Sequence, residues 1–298
     1  MRRLPLLDSP AHAERCRALL DLPAERARSV ADDTMRVLEA GEYAAPSGET
    51  VSLAAAIRDH RAAKQSFPPS MSIEAPTARR FGETTTWVSN APTLTAARAF
   101  TDRGIRPAVL NFANGVTPGG GFLHGARAQE ETLCFASTLY TALVGDPMYD
   151  AHAAGDTLRT SSWILRCDAT VFRDAHHARL ATPWAMTVLT CAAPICNPSY
   201  SQAGNAVATA EGAALLGERI DRVLDLAADC GDTHLVLGAW GCGAFRNDPD
   251  RIAERFLRAI ERLDGAFDEV VFAISDWSPQ RRFLGPFTAR FATPAHQA

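Results

Sequence analysis

Lysine is almost missing from this chain: Lys64 stands alone among 30 basic residues, and arginine supplies the rest. No GxxxxGK run followed by Ser or Thr occurs, which excludes a P-loop nucleotide site, because the lysine such a loop needs is absent from every glycine-rich stretch. A GxGxxG followed by an acidic residue on the next strand is absent as well, so a Rossmann cofactor fingerprint is excluded too. The seven cysteines, Cys16, Cys134, Cys167, Cys191, Cys196, Cys230 and Cys242, contain no CxxC pair. Cys191 and Cys196 have a proline between them, and that is not zinc spacing. An odd number of cysteines in apolar surroundings suits free thiols in a reducing cytoplasm, which is the expected location. No apolar run approaches the roughly 20 residues of a membrane span, and the basic start MRRLPLLDSP lacks an apolar core of signal-peptide length. A net charge of −4 offers no bulk attraction to nucleic acid or anionic membrane. Internal repeats and low-complexity tracts are also lacking.

What is present is an ordinary globular composition: 298 residues, 47% hydrophobic and 21% charged, enough to bury a sizeable core. Residues 10–40 are rich in Ala, Leu, Arg and Glu and have no glycine before Gly41, which predicts helix. A shorter helix is predicted over Leu53 to Gln65, and a proline-rich loop over Phe67 to Pro76. Residues 1–80 are thus expected to form a helical extension packed on a main domain of residues 81–298. From Thr84 onward strand and helix patterns alternate. Strands are predicted at Thr84–Ser89, Val109–Phe112, within Trp163–Phe172, at Met186–Ala192, His234–Leu237 and Val270–Ile274. Helices are predicted at Thr93–Thr101, Leu133–Val144, Gly204–Ala228 and Ile252–Leu263, with a loop over Gly145–Thr160. Strands separated by helices imply a largely parallel sheet covered on both faces, a three-layer α/β/α domain.

Two loops stand out. The first follows the strand at Val109 and carries Gly119-Gly120-Gly121, then seven residues, then Gln129-Glu130-Glu131 at the start of an apolar helix. Three consecutive glycines let backbone N–H groups approach a ligand closely. A lone Gly-Gly-Gly reads as a turn and a lone Glu-Glu as a helix start; together, after a strand, they read as a ligand loop with an acid beside it. The second loop, Gly241-Cys242-Gly243-Ala244-Phe245, follows the strand at His234 and precedes a helix begun by Asp248-Pro249. Small residues before a helix make an anion nest suited to a diphosphate, although a tight turn needing glycine explains the same residues. In an open α/β sheet both loops would lie beyond the carboxyl ends of the strands, where ligands collect.

The words LNFANGVTPGGGFL and GARAQEETLC, with GAWGCGAFRNDP at Gly238–Pro249, resemble the bacterial-type poly(ADP-ribose) glycohydrolases, whose core is a macrodomain. The resemblance runs from about Thr84 to Phe287. It implies a macrodomain-like mixed sheet and release of ADP-ribose from poly(ADP-ribose) on modified proteins, by a monomer without metal or cofactor. It implies that the second loop holds the ADP-ribose diphosphate, with Phe245 against the ribose, and that Asn114 orients the distal ribose. Adenine would stack near the end of the last strand, with Ile274 and Trp277 as candidates. Adenine recognition transfers least, since Val109 stands where vertebrate-type enzymes have an acidic residue.

Cleaving a ribose glycosidic bond requires protonating the leaving oxygen, tolerating an oxocarbenium-like centre and admitting water. Adjacent helical residues diverge by about 100°, so Glu130 and Glu131 do not make an opposed pair; one does the proton work while the other positions substrate. By resemblance Glu131 is the acid that then activates water, Glu130 holds ribose hydroxyls and Gln129 fixes the loop. His124 and the His176-His177 pair read as surface residues, and Arg127 reaches either phosphate or solvent. Two alternatives stay open: hydrolysis of mono-ADP-ribose on protein or nucleic acid, and non-catalytic ADP-ribose binding. Residues 145–160 and 196–208 are expected to set substrate length.

Overall fold

The computed structural model describes residues 1–74, 79–154, 162–197, 199 and 209–293. Strand β1 (Arg2–Pro5) leads into α1 (Pro10–Leu20) and α2 (Ala24–Ala40). Strands β2 (Glu42–Ala44) and β3 (Thr50–Ser52) form a hairpin, followed by α3 (Ala54–Ala63) and β4 (Gln65–Phe67). The alternating part begins with β5 (Thr85–Ser89), α4 (Thr93–Thr101), β6 (Ala108–Ala113), α5 (Gln129–Ala136), α6 (Leu139–Leu143) and α7 (Pro147–Ala154). It continues through β7 (Ile164–Arg173), β8 (Arg179–Ala192), α8 (Thr209–Asp229), β9 (His234–Leu237), α9 (Pro249–Arg262), β10 (Glu269–Ala273), α10 (Leu284–Phe291) and β11 (Ala292–Thr293).

Local signals set several boundaries. The helical run expected over residues 10–40 is two helices, because Pro23 stands at the start of the second. Ser9 caps α1 by accepting the His12 N–H, with Pro10 in the first turn. Asp248 caps α9 through the Asp250 and Arg251 N–H groups, with Pro249 behind it, as the Asp-Pro pair led one to expect. The loop expected over residues 145–160 instead contains α7, capped by Asp146 through the Met148 N–H at 3.0 Å. Residues 155–160 of the first stretch expected to set substrate length, and residues 198 and 200–208 of the second, lie outside the described residues.

Among the described residues nine strands form one mixed sheet in the order β11-β1-β5-β10-β9-β6-β8-β7-β4. From β11 to β8 all neighbours are parallel; β7 and β4 run antiparallel at the far edge. The N-terminal 80 residues therefore contribute strands at both ends of the sheet as well as helices. Side chains alternate between two cores, the period of two that a sheet covered on both faces demands. Leu110, Leu235 and Val270 face α8, α9 and α10, packing with Leu216, Ile220, Phe256 and Phe287. Val109, Val236 and Val271 face the other layer, with Phe100, Phe122, Leu133 and Phe135. Among the described residues no helix is long and apolar enough to cross a membrane.

Because β5, β10, β9, β6 and β8 are parallel, their carboxyl ends share one edge. The glycine loop leaves that edge from β6, and the second loop leaves it from β9, the adjacent strand.

Candidate active site

The first loop is built from the strand beneath it. Asn111 interrupts the apolar run of β6 and is fully buried. Its amide donates to Thr190 Oγ1 at 3.2 Å on the neighbouring β8 and to Glu130 Oε1 at 3.3 Å on α5. Pairing between β6 and β9 stops after Val109, which leaves backbone groups of β6 without a strand partner. Gln129 supplies one: its carboxamide accepts the Phe112 N–H at 2.9 Å and donates to the Leu110 carbonyl at 2.8 Å. Gln129 thus ties the start of α5 to the end of β6, and the fifteen residues between them must form a closed loop.

The two glutamates occupy the first turn of α5, where the helix dipole favours negative charge. Glu130 points inward. It is 2% exposed, and its Oε2 accepts the Asn114 N–H at 2.7 Å. Burial pushes its carboxyl up to about 8, against the hydrogen bonds from Asn114, Asn111 and Gly119 and with a further push from Glu131. Glu131 is 7% exposed; its Oε1 accepts the Gly121 N–H at 3.0 Å, while its Oε2 is buried and has no partner among the described residues. The divergence expected of adjacent helical residues is partly undone because the loop curls over the helix start. A Cβ on Gly120 would collide with Glu131 Oε1 and lie 3.2 Å from Glu130 Oε2, and φ there is +60°. Only glycine lets the backbone cross both carboxylates at that point.

Asn114 is exposed, and its Oδ1 accepts the N–H groups of Val116 and Thr117 at 3.2 and 3.0 Å, capping its own turn. Gly115 follows with φ +86°, wedged so that a Cβ would meet Ala192 at 2.8 Å and His152 Nδ1 at 3.2 Å.

The second loop is tied down differently. Asn247 donates to the carbonyls of Pro194 and Gly241, Asn197 to that of Ala244, and the Cys196 N–H to that of Phe245. Gly241 is the residue with positive φ, and a Cβ on it would meet Ala193 at 2.7 Å. Gly243 has an ordinary φ, and among the described residues a Cβ on it would meet nothing within 4 Å. Gly243 and Ala244 are exposed, and among the described residues their N–H groups donate to no protein acceptor. Cys242 buries its thiol and gives its N–H to the Ala239 carbonyl, whereas Phe245 is half-buried against the core. Consecutive residues at the end of β8, Ala192 and Ala193, touch the two loops, so one strand end sets their spacing.

His124 and Arg127 are exposed, with Arg127 4.0 Å from Asp21. His176 is exposed, but His177 turns its ring edge toward Phe135 with centroids 5.8 Å apart, so the pair is not wholly on the surface. Ile274 is buried in the core and presents no stacking wall; Trp277 is 44% exposed in a surface groove with Pro10, Arg17 and Pro279. Asn111, Thr190, Asn247 and His152 were not singled out from sequence. Asn111 carried a signal, a polar residue within an apolar strand; His152 carried none. Among the described residues no cluster of His, Cys, Asp and Glu is arranged to hold a metal ion.

Known proteins resemble this arrangement closely. The family model of the microbial-type PARG catalytic domain matches residues 31–174. No curated protein matches at a significant level. The chain is similar to the crystal structure of poly(ADP-ribose) glycohydrolase from Thermomonospora curvata, with 34% identity, a TM-score of 0.82, and 90% of this chain and 100% of that one covered. The same enzyme bound to the inhibitor ADP-HPD matches with 34% identity and a TM-score of 0.78 over the same shares. The enzyme from Deinococcus radiodurans in complex with ADP-ribose matches with 35% identity and a TM-score of 0.71, covering 78% of this chain and 96% of that one. A shared fold at this identity, spanning nearly the full length of both enzymes, places the chain in the family of microbial-type poly(ADP-ribose) glycohydrolases.

Proposed function

We propose that the protein hydrolyses the ribose–ribose O-glycosidic bonds of poly(ADP-ribose) on modified proteins, releasing ADP-ribose, with Glu131 as the acid–base group. The observation that carries this is the Glu131 carboxylate. One oxygen is held by the Gly121 N–H and the other is buried without a partner under the glycine loop. Leaving a buried carboxylate oxygen unpaired costs about 1–3 kcal/mol or more. A pure ADP-ribose reader gains nothing from that cost, whereas an enzyme gains a proton carrier aimed at the leaving oxygen.

In this scheme Glu131 gives its proton to the leaving oxygen as the C1–O bond breaks, then takes a proton from the water that attacks the oxocarbenium-like carbon. Glu130, raised to about 8, is neutral near pH 7, so its carboxyl adds no negative charge beside an anionic substrate. It holds Asn114 from below, and Asn114 with the Gly119–Gly121 backbone orients the distal ribose. The Gly243 and Ala244 N–H groups bind the diphosphate, with Gly241, Cys242 and Phe245 shaping the turn. The diphosphate stabilises the developing cation, so the chemistry runs without metal. The free state of all seven cysteines suits a reducing cytoplasm, and the protein works as a monomer.

Incubation of purified protein with poly(ADP-ribose) in EDTA should release ADP-ribose. Loss of that activity in EDTA with recovery on adding Mg²⁺ overturns the metal-free scheme. Cleavage of mono-ADP-ribosylated protein with no action on polymer would favour the alternative substrate class.

A further inference from the structure

The residues that hold the glycine loop come from two helices, and only one of them belongs to the site described so far. Glu130 on α5 takes the Asn114 N–H; the very next residue is taken by α7. His152 is 2% exposed, and its Nδ1 lies 2.8 Å from the carbonyl oxygen of Gly115. A carbonyl only accepts, so Nδ1 carries the proton. Burial and the nearby Arg219 guanidinium both hold the imidazole toward its neutral form, which leaves Nε2 as a bare acceptor, buried and with no partner among the described residues. The contact is tight on both sides, because Gly115 has no room for a Cβ between Ala192 and the imidazole.

Helix α7 is itself anchored. Asp146, 1% exposed, caps it and accepts the Ser66 hydroxyl at 2.6 Å, with the Lys64 ammonium 3.5 Å away. The chain's single lysine and the edge strand β4 therefore fix the helix that presents His152. Asn114 and Gly115 are in turn fixed from below and from the side, and the Asn114 turn can occupy one place relative to Glu131.

We propose that His152 is a positioning residue for the glycosidase reaction: through the Gly115 carbonyl it sets the Asn114 turn, and so registers the distal ribose against Glu131. The inference rests on the functional reading above, in which Asn114 faces that ribose. It assigns His152 no contact with substrate. A residue that merely fills space at this point would be replaceable by any side chain of similar bulk.

The test pairs two variants with two ligands. His152→Leu keeps the bulk and loses the hydrogen bond; His152→Asn loses bulk but places an amide N–H where Nδ1–H stood. ADP-ribose carries the distal ribose, whereas ADP ends at the diphosphate. His152→Leu should lower kcat by about tenfold or more, the scale of a misplaced reactant, and weaken ADP-ribose by about tenfold. Its affinity for ADP should stay within about twofold, since the loop after β9 is untouched. His152→Asn should recover most of both losses. The proposal is overturned if the leucine variant matches wild type, if ADP and ADP-ribose weaken together, or if asparagine rescues nothing. Wild-type protein that binds ADP but gains nothing from the distal ribose would also remove it. Wild type that binds neither ligand would bring down the functional reading itself, and this inference with it.

Discussion

The loop after β6 and the loop after β9 lie side by side at one edge of the sheet, yet they are held by opposite means. The first is fixed by acidic and imidazole side chains: Glu130 on Asn114, Glu131 on Gly121, His152 on Gly115. Two of its N–H groups, those of Asn114 and Gly121, are taken by the protein's own carboxyl groups. The second is fixed through its carbonyls, which accept from Asn247, Asn197 and Cys196. That leaves the N–H groups of Gly243 and Ala244 pointing outward. A loop that gathers carboxyl groups is suited to moving protons, and a loop that exposes N–H groups is suited to holding an anion. In the proposed reading two adjacent strands thus divide chemistry from binding, and that division is open to attack from either side.

The largest effect should come from the first loop. Glu131→Gln keeps the side chain's size and an acceptor for the Gly121 N–H but removes its titratable proton. Turnover on poly(ADP-ribose) should fall by about a hundredfold or more. Affinity for ADP-ribose should stay within about tenfold, which corresponds to about 1.4 kcal/mol. Next comes Gly243→Val in the second loop. Its Cβ meets nothing within 4 Å and its φ is ordinary, so the fold should survive, with an unchanged circular dichroism spectrum and Tm. The added methyl groups stand where phosphate must approach, and calorimetric titration should show affinity for ADP-ribose lowered by well over tenfold, more than the 1.4 kcal/mol that separates decades. Normal binding by Gly243→Val, or loss of all binding in Glu131→Gln, would merge the two loops into one function.

The same contrast explains how much could be seen in the sequence. The glycines and the Gln-Glu-Glu run are contiguous, so the strand–loop–helix unit around them was legible, as were the alternating central strands and the Asp-Pro start of α9. The orientation of the glutamates was not, because it depends on how the loop curls over the helix rather than on helical spacing. Which glycine in the second loop takes positive φ was missed as well: Gly241 does so because Ala193 and Asn247 crowd it, and those contacts come from other parts of the chain. The short strands β1 and β11 carry too few residues for an alternating pattern and form by pairing with each other and with β5. His152 was hidden twice, by a Gly- and Pro-punctuated stretch that reads as loop and by a role that exists only through Gly115.

The smallest effect, and the one that probes the comparison most finely, concerns the proton on Glu130. In the folded protein its carboxyl titrates near 8, raised by burial from the ordinary 4.5. Between those values the native state keeps a proton that the unfolded chain has released. This contribution to stability is fully present below about pH 4.5 and is lost as pH rises through about 8. Glu130→Gln removes the titration. It also sets an amide NH2 against one of two donors, the Asn114 N–H or the Asn111 amide, a mismatch of about 1–3 kcal/mol that does not depend on pH. At pH 5, where wild type has lost only about 0.7 kcal/mol of that contribution, the variant should therefore melt below wild type. As pH rises toward 9 the gap should close by several degrees, each pKa unit being worth about 1.4 kcal/mol and each kcal/mol about 2 °C in a chain of this size. Taking the difference between the two proteins cancels every other titrating group. A gap in Tm that stays constant from pH 5 to pH 9 would mean that Glu130 is already charged in the native state. In the proposed reading, that charge on the first loop would then repel the diphosphate held by its neighbour.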